Sequence, residues 1–371
     1  MEKIKINTRA ISYPVRILKS IIAKSDNRLA VLANSNELIL KIQGNPAYGE
    51  FHLPMVNNET FEFIVNHSFF NEILSKVSSE EIEVVLGNKV VFILDGDTKF
   101  EIPVVDGKVF TPDTGDVTKT SKVSKVFTPE VWAKMQNYLL FATAKDDNRP
   151  IFRGIGVKTE GNSLMMYATD THIMSKFVVS TSVNDLPSLV ILPREIFSVK
   201  TECDVTFSIE GSFAKVAYDG FTFIIPMLLG NPPDYERVIP KAYNMELVLD
   251  KNMLLKEIRK LLICSTAKEV IPIQVYFRQG KVDLFTENQE LGKIKGSFPA
   301  NVPVEFVGKK IAFNGQYLAD LSHFEADEIK LATVANGDLG ISLSPVLFSS
   351  KTEQFQLVMT PIRVNTWNLD E

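Results

Sequence analysis

The chain has 371 residues and a mass of 41.6 kDa, with 45% hydrophobic and 23% charged residues, a balance that excludes a disordered or collagen-like chain. Its 40 basic and 45 acidic residues give a formal net charge of −5. This charge argues against a generally basic nucleic-acid binder but leaves room for a basic surface on one side of an acidic body. Two cysteines are too few for a disulfide framework or a four-thiolate zinc site, so a reduced, intracellular protein is predicted.

The first third of the chain begins with a predicted strand, because residues 1–6 alternate charged and apolar side chains. No apolar signal segment follows, and no stretch reaches the roughly 18 uninterrupted apolar residues of a membrane helix, so we expect a cytoplasmic protein. The other elements predicted in this third are a helix at 11–25, a short helix at 68–77 and strands over 81–105 with a turn at Gly87-Asn88.

The second and last thirds repeat this order of elements. In the second third, Thr128 and Pro129 predict the start of a helix as cap and first-turn residue. The predicted elements there are a helix at 127–145, strands at 155–159 and 164–169, a short helix at 194–199 and strands over 204–227. In the last third they are a helix at 250–265, strands at 271–277 and 282–286, a short helix at 315–321 and strands over 328–364 with a turn at Asn336-Gly337.

A short sequence marker supports a repeat. Asp26-Asn27-Arg28 recurs as Asp147-Asn148-Arg149, each time where a predicted helix gives way to strands. We therefore predict an α+β chain of three tandem similar domains, at 1–122, 123–243 and 244–371. The alternative is three unrelated α+β domains that share generic helix-strand spacing.

The motifs of common enzymes are missing from the sequence. There is no GxxxxGK[ST], GxGxxG, HExxH or GxSxG pattern, and none of the four histidines has a second histidine or a cysteine at ligand spacing. His172 alone draws notice, yet a lone histidine is more often structural. We expect no catalytic residue, no metal and no cofactor.

Four segments carry a resemblance to a known family. They are 168–174 (ATDTHIM), 231–240 (NPPDYERVIP), 313–317 (FNGQY) and 358–364 (VMTPIRV). In this order and at these distances they resemble the beta sliding clamp, the processivity subunit of bacterial DNA polymerase III. The resemblance covers essentially the whole chain.

The resemblance implies a ring. Two copies of three domains would close head to tail around duplex DNA, with two helices of each domain toward the hole and antiparallel sheets outside. The ring would hold a DNA polymerase on its template without catalysing a reaction, and it would bind DNA without sequence preference. The dimer contact is expected at Leu262 and Ile263. The DNA-facing residues are expected to be Lys24, Arg28, Arg149, Lys256, Arg259 and Lys260. The alternative for Lys24, Lys256, Arg259 and Lys260 is an ordinary solvated helix face, whereas Arg28 and Arg149 occupy the same helix-to-strand corner in two repeats.

The resemblance also implies a pocket for short peptides of polymerase, clamp loader and repair proteins. Its expected walls are Phe152, Thr169, Thr171, His172, Ile173, Pro233, Arg237, Val238, Asn314, Tyr317, Leu343, Pro345, Val358, Met359, Thr360, Pro361, Ile362 and Arg363. Without the family, the same residues form a mostly apolar set with a few polar anchors, which suits a peptide groove but also plain core packing.

Two departures from the family bear on this pocket. Thr171 and Ile173 stand where the family commonly has a glycine and an arginine, and seven residues follow Val364 where the family usually ends. Trp367 in this extension is of the type that peptide ligands insert, so the tail is expected either to occupy the pocket or to fray.

Two other classes of function stay open. One is a repetitive α+β interaction scaffold that neither closes into a ring nor meets DNA. The other is a hydrolase that uses scattered acids.

Overall fold

The computed structural model describes most of the chain. The described residues are 2–21, 27–44, 47–56, 59–108, 123–145, 149–180, 189–264, 270–334, 344–351 and 354–368. Within these ranges no helix is both long enough and apolar enough to cross a membrane.

The first ten elements confirm the predicted order. They are β1 (Lys3–Asn7), α1 (Thr8–Ile21), β2 (Arg28–Ala33), β3 (Glu37–Gln43), β4 (Tyr48–Pro54), β5 (Phe61–Asn66), α2 (His67–Lys76), β6 (Glu81–Leu86), β7 (Val90–Asp95) and β8 (Thr98–Pro103). Helix α1 begins before the predicted residue 11, because the Asn7 side chain accepts hydrogen bonds from the N–H groups of Arg9 and Ala10.

The next elements follow the same plan. They are β9 (Val123–Phe127), α3 (Pro129–Leu139), β10 (Gly154–Glu160), β11 (Ser163–Thr169), β12 (Ile173–Ser180), β13 (Val190–Pro193), β14 (Val205–Glu210), β15 (Phe213–Tyr218), β16 (Phe221–Pro226) and the short helix α4 (Tyr235–Val238). No strand begins directly after Arg149. A 3-10 helix, Pro150–Arg153, comes first, since Pro150 has no N–H for a strand ladder.

The last elements complete the chain. They are β17 (Met245–Asp250), α5 (Lys251–Leu261), β18 (Pro272–Arg278), β19 (Lys281–Asn288), β20 (Gly292–Pro299), β21 (Lys310–Asn314), α6 (Gly315–Ala319), β22 (Glu328–Thr333), β23 (Val346–Ser349) and β24 (Phe355–Met359). Helix α5 is capped by Asp250, whose carboxylate accepts the N–H of Met253, and it tightens into a 3-10 helix at Leu262–Cys264. The predicted turn at 336–337 lies outside the described residues.

The order of elements repeats along the described chain. Strand, helix, four strands, a helical turn and three strands follow one another three times, with 3-10 helix Arg194–Ser198 as the helical turn of the second copy. The exact boundaries at 122 and 243 stay a prediction.

The chain forms two compact units. The first combines Met1–Lys134, Val183–Asp185 and Leu192–Leu228, and the second combines Met135–Ser182, Leu186–Ile191 and Leu229–Glu371. The first unit holds a four-stranded sheet, β1-β6-β7-β8, and an eight-stranded sheet, β5-β2-β3-β4-β16-β15-β14-β9. The second unit holds a four-stranded sheet, β20-β19-β18-β21, and an eight-stranded sheet, β13-β10-β11-β12-β24-β23-β22-β17. Each unit therefore pairs one short sheet with one sheet of twice its strand number.

Each eight-stranded sheet is joined at its centre by strands from distant parts of the sequence. In the first unit β4 pairs with β16, and Phe51 lies opposite Phe221. In the second unit β12 pairs with β24, and the buried side chains of Ile173 and Met359 lie opposite each other. Both joins are antiparallel and buried, so the hydrophobic effect and the hydrogen-bond ladder act together there.

Candidate functional site

The turn between β11 and β12 presents two side chains to solvent. Asp170 accepts hydrogen bonds at 2.9 Å from the N–H groups of His172 and Ile173. Thr169 closes the turn by donating its hydroxyl to the carbonyl of Ile173 at 2.7 Å. Thr171 takes the left-handed conformation, with φ of 84°. As a result Thr171 and His172 are exposed while Ile173 is buried in the sheet.

Helix α6 meets this turn. Asn314 caps the helix, its side chain accepting the N–H of Gln316 at 3.1 Å. The Tyr317 hydroxyl donates to the free oxygen of the Asp170 carboxylate at 2.7 Å, and the rings of His172 and Tyr317 lie 6.5 Å apart. These contacts bring the two predicted groove segments around His172 and Tyr317 together.

The end of β24 closes the same surface. Val358 and Met359 are buried, the N–H of Thr360 donates to the carbonyl of His172 at 2.9 Å, and the N–H of Ile362 donates to the carbonyl of Ala312 at 2.8 Å. Segment 360–363 therefore leaves the sheet directly beside the 169–173 turn.

The segment that carries Arg237 and Val238 is fixed through its neighbours. Tyr235 is buried, stacks on Tyr167 with ring centroids 4.9 Å apart, and lies against Gly156, where a Cβ would come within 2.7 Å of its ring. The Asp234 carboxylate caps α4 by accepting the N–H of Arg237. Arg237 and Val238 are left exposed.

The Glu236 side chain fixes this turn through one hydrogen bond and two ion pairs. Its carboxylate accepts the hydroxyl of Tyr167 and lies 3.2 Å from Nζ of Lys176 and 3.5 Å from Nζ of Lys158. Burial by itself would raise the pKa of Glu236, but the Tyr167 hydrogen bond and the two ammonium groups lower it below its ordinary value. An ionised Glu236 thus holds α4 on the strand that leads into the 169–173 turn.

The pKa of a second carboxylate, that of Asp320, is shifted in the opposite direction. Burial raises the pKa of Asp320 to about 7, the charge of Asp170 adds to this rise, and Lys145 opposes it. Next to it, His323 stacks on Phe141 with centroids 4.0 Å apart, and burial lowers the pKa of His323.

Arg149 lies beside the groove residues. Its Nη2 donates to the hydroxyl of Thr171 at 3.2 Å, and its guanidinium lies 5.0 Å from the ring centroid of Phe152. The sequence predicted Arg28 and Arg149 at equivalent helix-to-strand corners of two repeats, both facing DNA. Arg28 instead starts a strand of the other unit and packs toward Gly107.

The structure thus gathers one set of residues, which we call the groove set. Its members are Arg149, Phe152, Thr169, Thr171, His172, Ile173, Asn314, Tyr317, Val358, Met359, Thr360, Pro361 and Ile362. Pro345 is half-buried just before β23, and Arg363 is exposed. Pro233 is half-buried on the approach to α4, and Leu343 lies outside the described residues.

Sequence reasoning did not select Asp170, Glu236 or Asp320 as site residues. Asp170 and Glu236 lie inside two of the quoted segments, where a carboxylate among apolar and aromatic residues was the available signal. Asp320 had no such signal, because its neighbour Asp170 is distant in sequence.

Three of the predicted DNA-facing residues lie on helix α5, and Arg28 begins β2. Lys256 and Arg259 are exposed on α5, and Lys260 pairs with Glu257 at 2.6 Å. Lys24 lies outside the described residues.

In the predicted dimer contact, Ile263 is 74% exposed, whereas Leu262 packs inward against the backbone of Gly315.

The tail hypothesis is corrected by the position of Trp367. Its ring packs edge-on against Tyr276 at 5.6 Å and lies 5.1 Å below Nζ of Lys310, both on the four-stranded sheet of the second unit. Trp367 contacts the sheet instead of the groove set, because its ring makes an aromatic contact with Tyr276 and a cation–π contact with Lys310 there. The tail is not frayed up to residue 368.

No group of three or more metal-ligating side chains occurs within the described ranges.

Solved structures define the class of fold. A DNA polymerase sliding clamp of Bacillus subtilis matches with a TM-score of 0.84 and 16% identity, over 98% of this chain and 99% of that chain. A DNA polymerase III beta subunit described as putative, of Eubacterium rectale, matches with a TM-score of 0.85 and 17% identity, over 98% of this chain and 100% of that chain. The chain has the DNA-clamp fold, an α+β architecture of tandem similar domains.

Sequence relatives are of the same class as these solved structures. The beta sliding clamp of Lactococcus lactis is 24% identical in an alignment 393 positions long, which covers 98% of this chain and 100% of the relative. The family model described as the C-terminal domain of the DNA polymerase III beta subunit matches residues 236–358. Along almost its whole length the chain is thus similar to beta sliding clamps, and residues 236–358 match the C-terminal domain family of the DNA polymerase III beta subunit.

Proposed function

We propose that two copies of this chain close into a ring around duplex DNA and tether the replicative DNA polymerase and other replication and repair proteins to it. The observation that carries the proposal is the pattern of strand pairing. The fourth strand of the first repeat, β4, pairs with the last strand of the second, β16, and β12 of the second repeat pairs with β24 of the third.

In this pattern the fourth strand of one repeat pairs with the last strand of the next repeat, and two such strands of the chain remain at sheet edges. The fourth strand of the third repeat, β20, and the last strand of the first repeat, β8, form edges of the two four-stranded sheets. An edge strand offers a row of unpaired N–H and C=O groups to another chain. Pairing β20 of one copy with β8 of a second copy makes a third eight-stranded sheet, and the head-to-tail contact closes with two copies.

The exposed Ile263 supports this closure. It follows α5, the helix that covers β20, since Gly296 on that strand approaches Glu257 and Leu261 of the helix closely. A large apolar side chain that is 74% exposed beside an edge strand suits a contact between copies.

The function on DNA needs positive charge without base recognition. Exposed residues Lys256 and Arg259, together with Lys24, Arg28 and Lys260, supply phosphate contacts that carry no sequence information and permit sliding. A closed ring keeps the polymerase near its template at high effective concentration, so weak DNA affinity is sufficient.

The partners dock at the groove set through short peptide motifs. His172 and Thr171 are exposed next to the buried residue Ile173, which pairs with buried Met359, and Arg149 and Tyr317 give polar anchors at the rim. Such a surface seats apolar peptide side chains and orients the peptide with a few hydrogen bonds. The action is non-catalytic and is placed in the cytoplasm, in line with the low cysteine count.

The deciding experiment follows the protein on circular DNA. A ring loaded on nicked circular DNA is expected to stay bound through gel filtration and to leave after the circle is cut at one site. Equal loss from the circular and cut DNA would contradict encirclement and favour a scaffold that does not enclose DNA.

A further inference from the structure

Residues 366–368, the described end of the C-terminal extension, bind to a defined surface of the second unit. Gln274, on β18, is 95% buried and uses both ends of its side-chain amide: Nε2 donates to the carbonyl of Thr366 at 2.9 Å, and Oε1 accepts the N–H of Asn368 at 3.1 Å. The Tyr276 hydroxyl donates to the same Oε1 at 2.6 Å. The amide therefore pairs with the tail as a neighbouring strand would, and every polar atom of this buried group has a partner.

Two further contacts fix the tail on either side of this amide. Trp367 packs against Tyr276 and lies under the ammonium group of Lys310. The Asn368 side chain donates to the Glu287 carboxylate at 3.1 Å. We call residues 365–368 the strap.

The strap lies on the face of the sheet opposite the helices. Ile273 points toward α6, since it lies beside Gly315, and alternation along β18 sends Gln274 and Tyr276 to the other face. Gln274 and Tyr276 are nevertheless 5% and 2% exposed, because the strap lies over them.

The strap continues directly from the groove set. Two residues, Val364 and Asn365, separate Arg363 from Thr366. Upstream, the Thr360 N–H is bonded to His172, and the Ile362 N–H to Ala312 on the strand next to β18. Segment 360–363 is thus tied at its beginning to the 169–173 turn and at its end to the strap. Fixing both ends of so short a segment removes most of its conformational freedom.

We propose that the strap holds segment 360–363 in the shape that receives a partner peptide, with Gln274 and Trp367 as positioning residues for the groove. The inference rests on the proposed peptide function of the groove set. It reverses the expectation of a self-occupied groove: loss of the strap leaves the groove wall mobile and weakens peptide binding, whereas loss of a self-ligand would strengthen it.

The test compares the wild-type dimer with Trp367→Ala, Gln274→Ala and the conservative Trp367→Phe. Tyr243→Ala is the matched control, because Tyr243 is an exposed aromatic under Lys330, with 5.6 Å from Nζ to the ring centroid, in the same unit. The first readout is hydrogen exchange of the Thr360 and Ile362 amides. The second is the Kd of a synthetic clamp-binding peptide with two apolar anchors.

Trp367→Ala and Gln274→Ala are expected to lose protection at both amides and to raise the peptide Kd about fivefold, the low end of couplings between sites. Trp367→Phe and Tyr243→Ala are expected to match the wild type. Unchanged exchange in Trp367→Ala, or equal or tighter peptide binding, overturns the proposal. A wild-type protein that binds no peptide contradicts the proposed partner function instead, and the exchange data then decide the role of the strap alone.

Discussion

The two compact units share a plan but differ at the ends of their central strand pairs. In the first unit the β4–β16 join ends in a backbone contact, where the His52 N–H donates to the carbonyl of Gly220 at 3.0 Å. In the second unit the chain continues past β24 as segment 360–368, which bonds to the 169–173 turn, to β21 and to Gln274.

The difference separates scaffold from site. The paired strands supply burial and hydrogen bonds in both units, and they do so with quite different side chains. The candidate site is made by segments that leave the sheet, namely the 169–173 turn, α4 and segment 360–363. The scaffold can therefore tolerate large sequence divergence while a few exposed positions set peptide preference.

The largest expected effect concerns the two four-stranded sheets, whose edge strands β8 and β20 form the proposed contact between copies. Ile263→Asp places a charge at the proposed contact between copies, where desolvation without a partner is costly. We expect association to weaken at least about a hundredfold, as for loss of a hot-spot residue. Light scattering should then report the mass of one chain, 41.6 kDa, in place of twice that value, with unchanged far-UV circular dichroism.

Val304→Asp is the control for this change. Val304 is 86% exposed in the loop before β21, so the same substitution adds the same charge at a different surface of the unit. A dimer that survives Ile263→Asp, or dissociates equally in both variants, would contradict the assigned contact.

The second prediction places the same kind of substitution in each unit, at the central join of the first and under the α4 turn of the second. Gly220 has φ of 79°, and a Cβ there would lie 2.8 Å from the carbonyl oxygen of His52, which is backbone and cannot move aside. We expect Gly220→Ala to lower the free energy of unfolding of the first unit by about 2 kcal/mol without changing peptide binding. Thermal unfolding and peptide titration measure the two effects.

Gly156→Ala acts in the other unit. Its Cβ would meet the ring of Tyr235 at 2.7 Å and push on the turn that carries Arg237, so peptide binding should weaken along with stability. Gly161→Ala separates strain from collision, because Gly161 has φ of 55° with nothing within 4 Å of its Cβ. Equal losses in Gly161→Ala and Gly220→Ala would show that the contact with His52 is unimportant.

Many helices and strands of both units could be predicted from the sequence, because short patterns of neighbouring residues indicate them. Thr128 and Pro129 marked the start of α3 correctly, and the Gly161-Asn162 turn joins the two predicted strands around it. Helix ends were less certain, since 3-10 turns and the Asn7 cap shift them by a few residues.

Contacts between distant residues were not accessible. The Gln274 amide and the strap lie more than ninety positions apart, and no pattern along the chain announces their pairing. For the same reason the sequence treated Arg28 and Arg149 as equivalent, although Pro150 turns the chain after Arg149 and brings its guanidinium to Thr171.

The third prediction uses these two arginines, one in each unit. Arg28→Ala should reduce the slope of log K against log salt for DNA by about one contact and leave peptide binding unchanged. Arg149→Ala should weaken peptide binding several-fold, because Arg149 bonds to Thr171 and lies over Phe152. Filter binding over a salt series and peptide titration give the two numbers. Matching behaviour of both variants in both assays would restore the equivalence that the sequence indicated.

The smallest expected effect is a pH dependence of opposite sign in the two units. His67 in the first unit is fully buried, its Nε2 donates to the carbonyl of Val15 at 2.7 Å, and burial lowers its pKa below 6.5. Below pH 6.5 the unfolded chain binds a proton that the folded unit does not, so this unit loses stability as the pH falls.

Asp320 in the second unit works in the other direction. Its pKa is raised from 3.8 to about 7, so between these values the folded unit binds the extra proton and loses stability as the pH rises.

Because the first unit contains Trp132 and the second contains Trp367, the variants Trp367→Phe and Trp132→Phe leave one fluorescent reporter in each unit. From pH 7 to about pH 5, Asp320→Asn should flatten the trend reported by Trp367, and His67→Gln the trend reported by Trp132, each by a few degrees in Tm. Other carboxylates titrate in every variant and cancel in the difference from the parent. Parallel pH trends at both tryptophans, unaffected by either substitution, would show that these two buried groups do not distinguish the units.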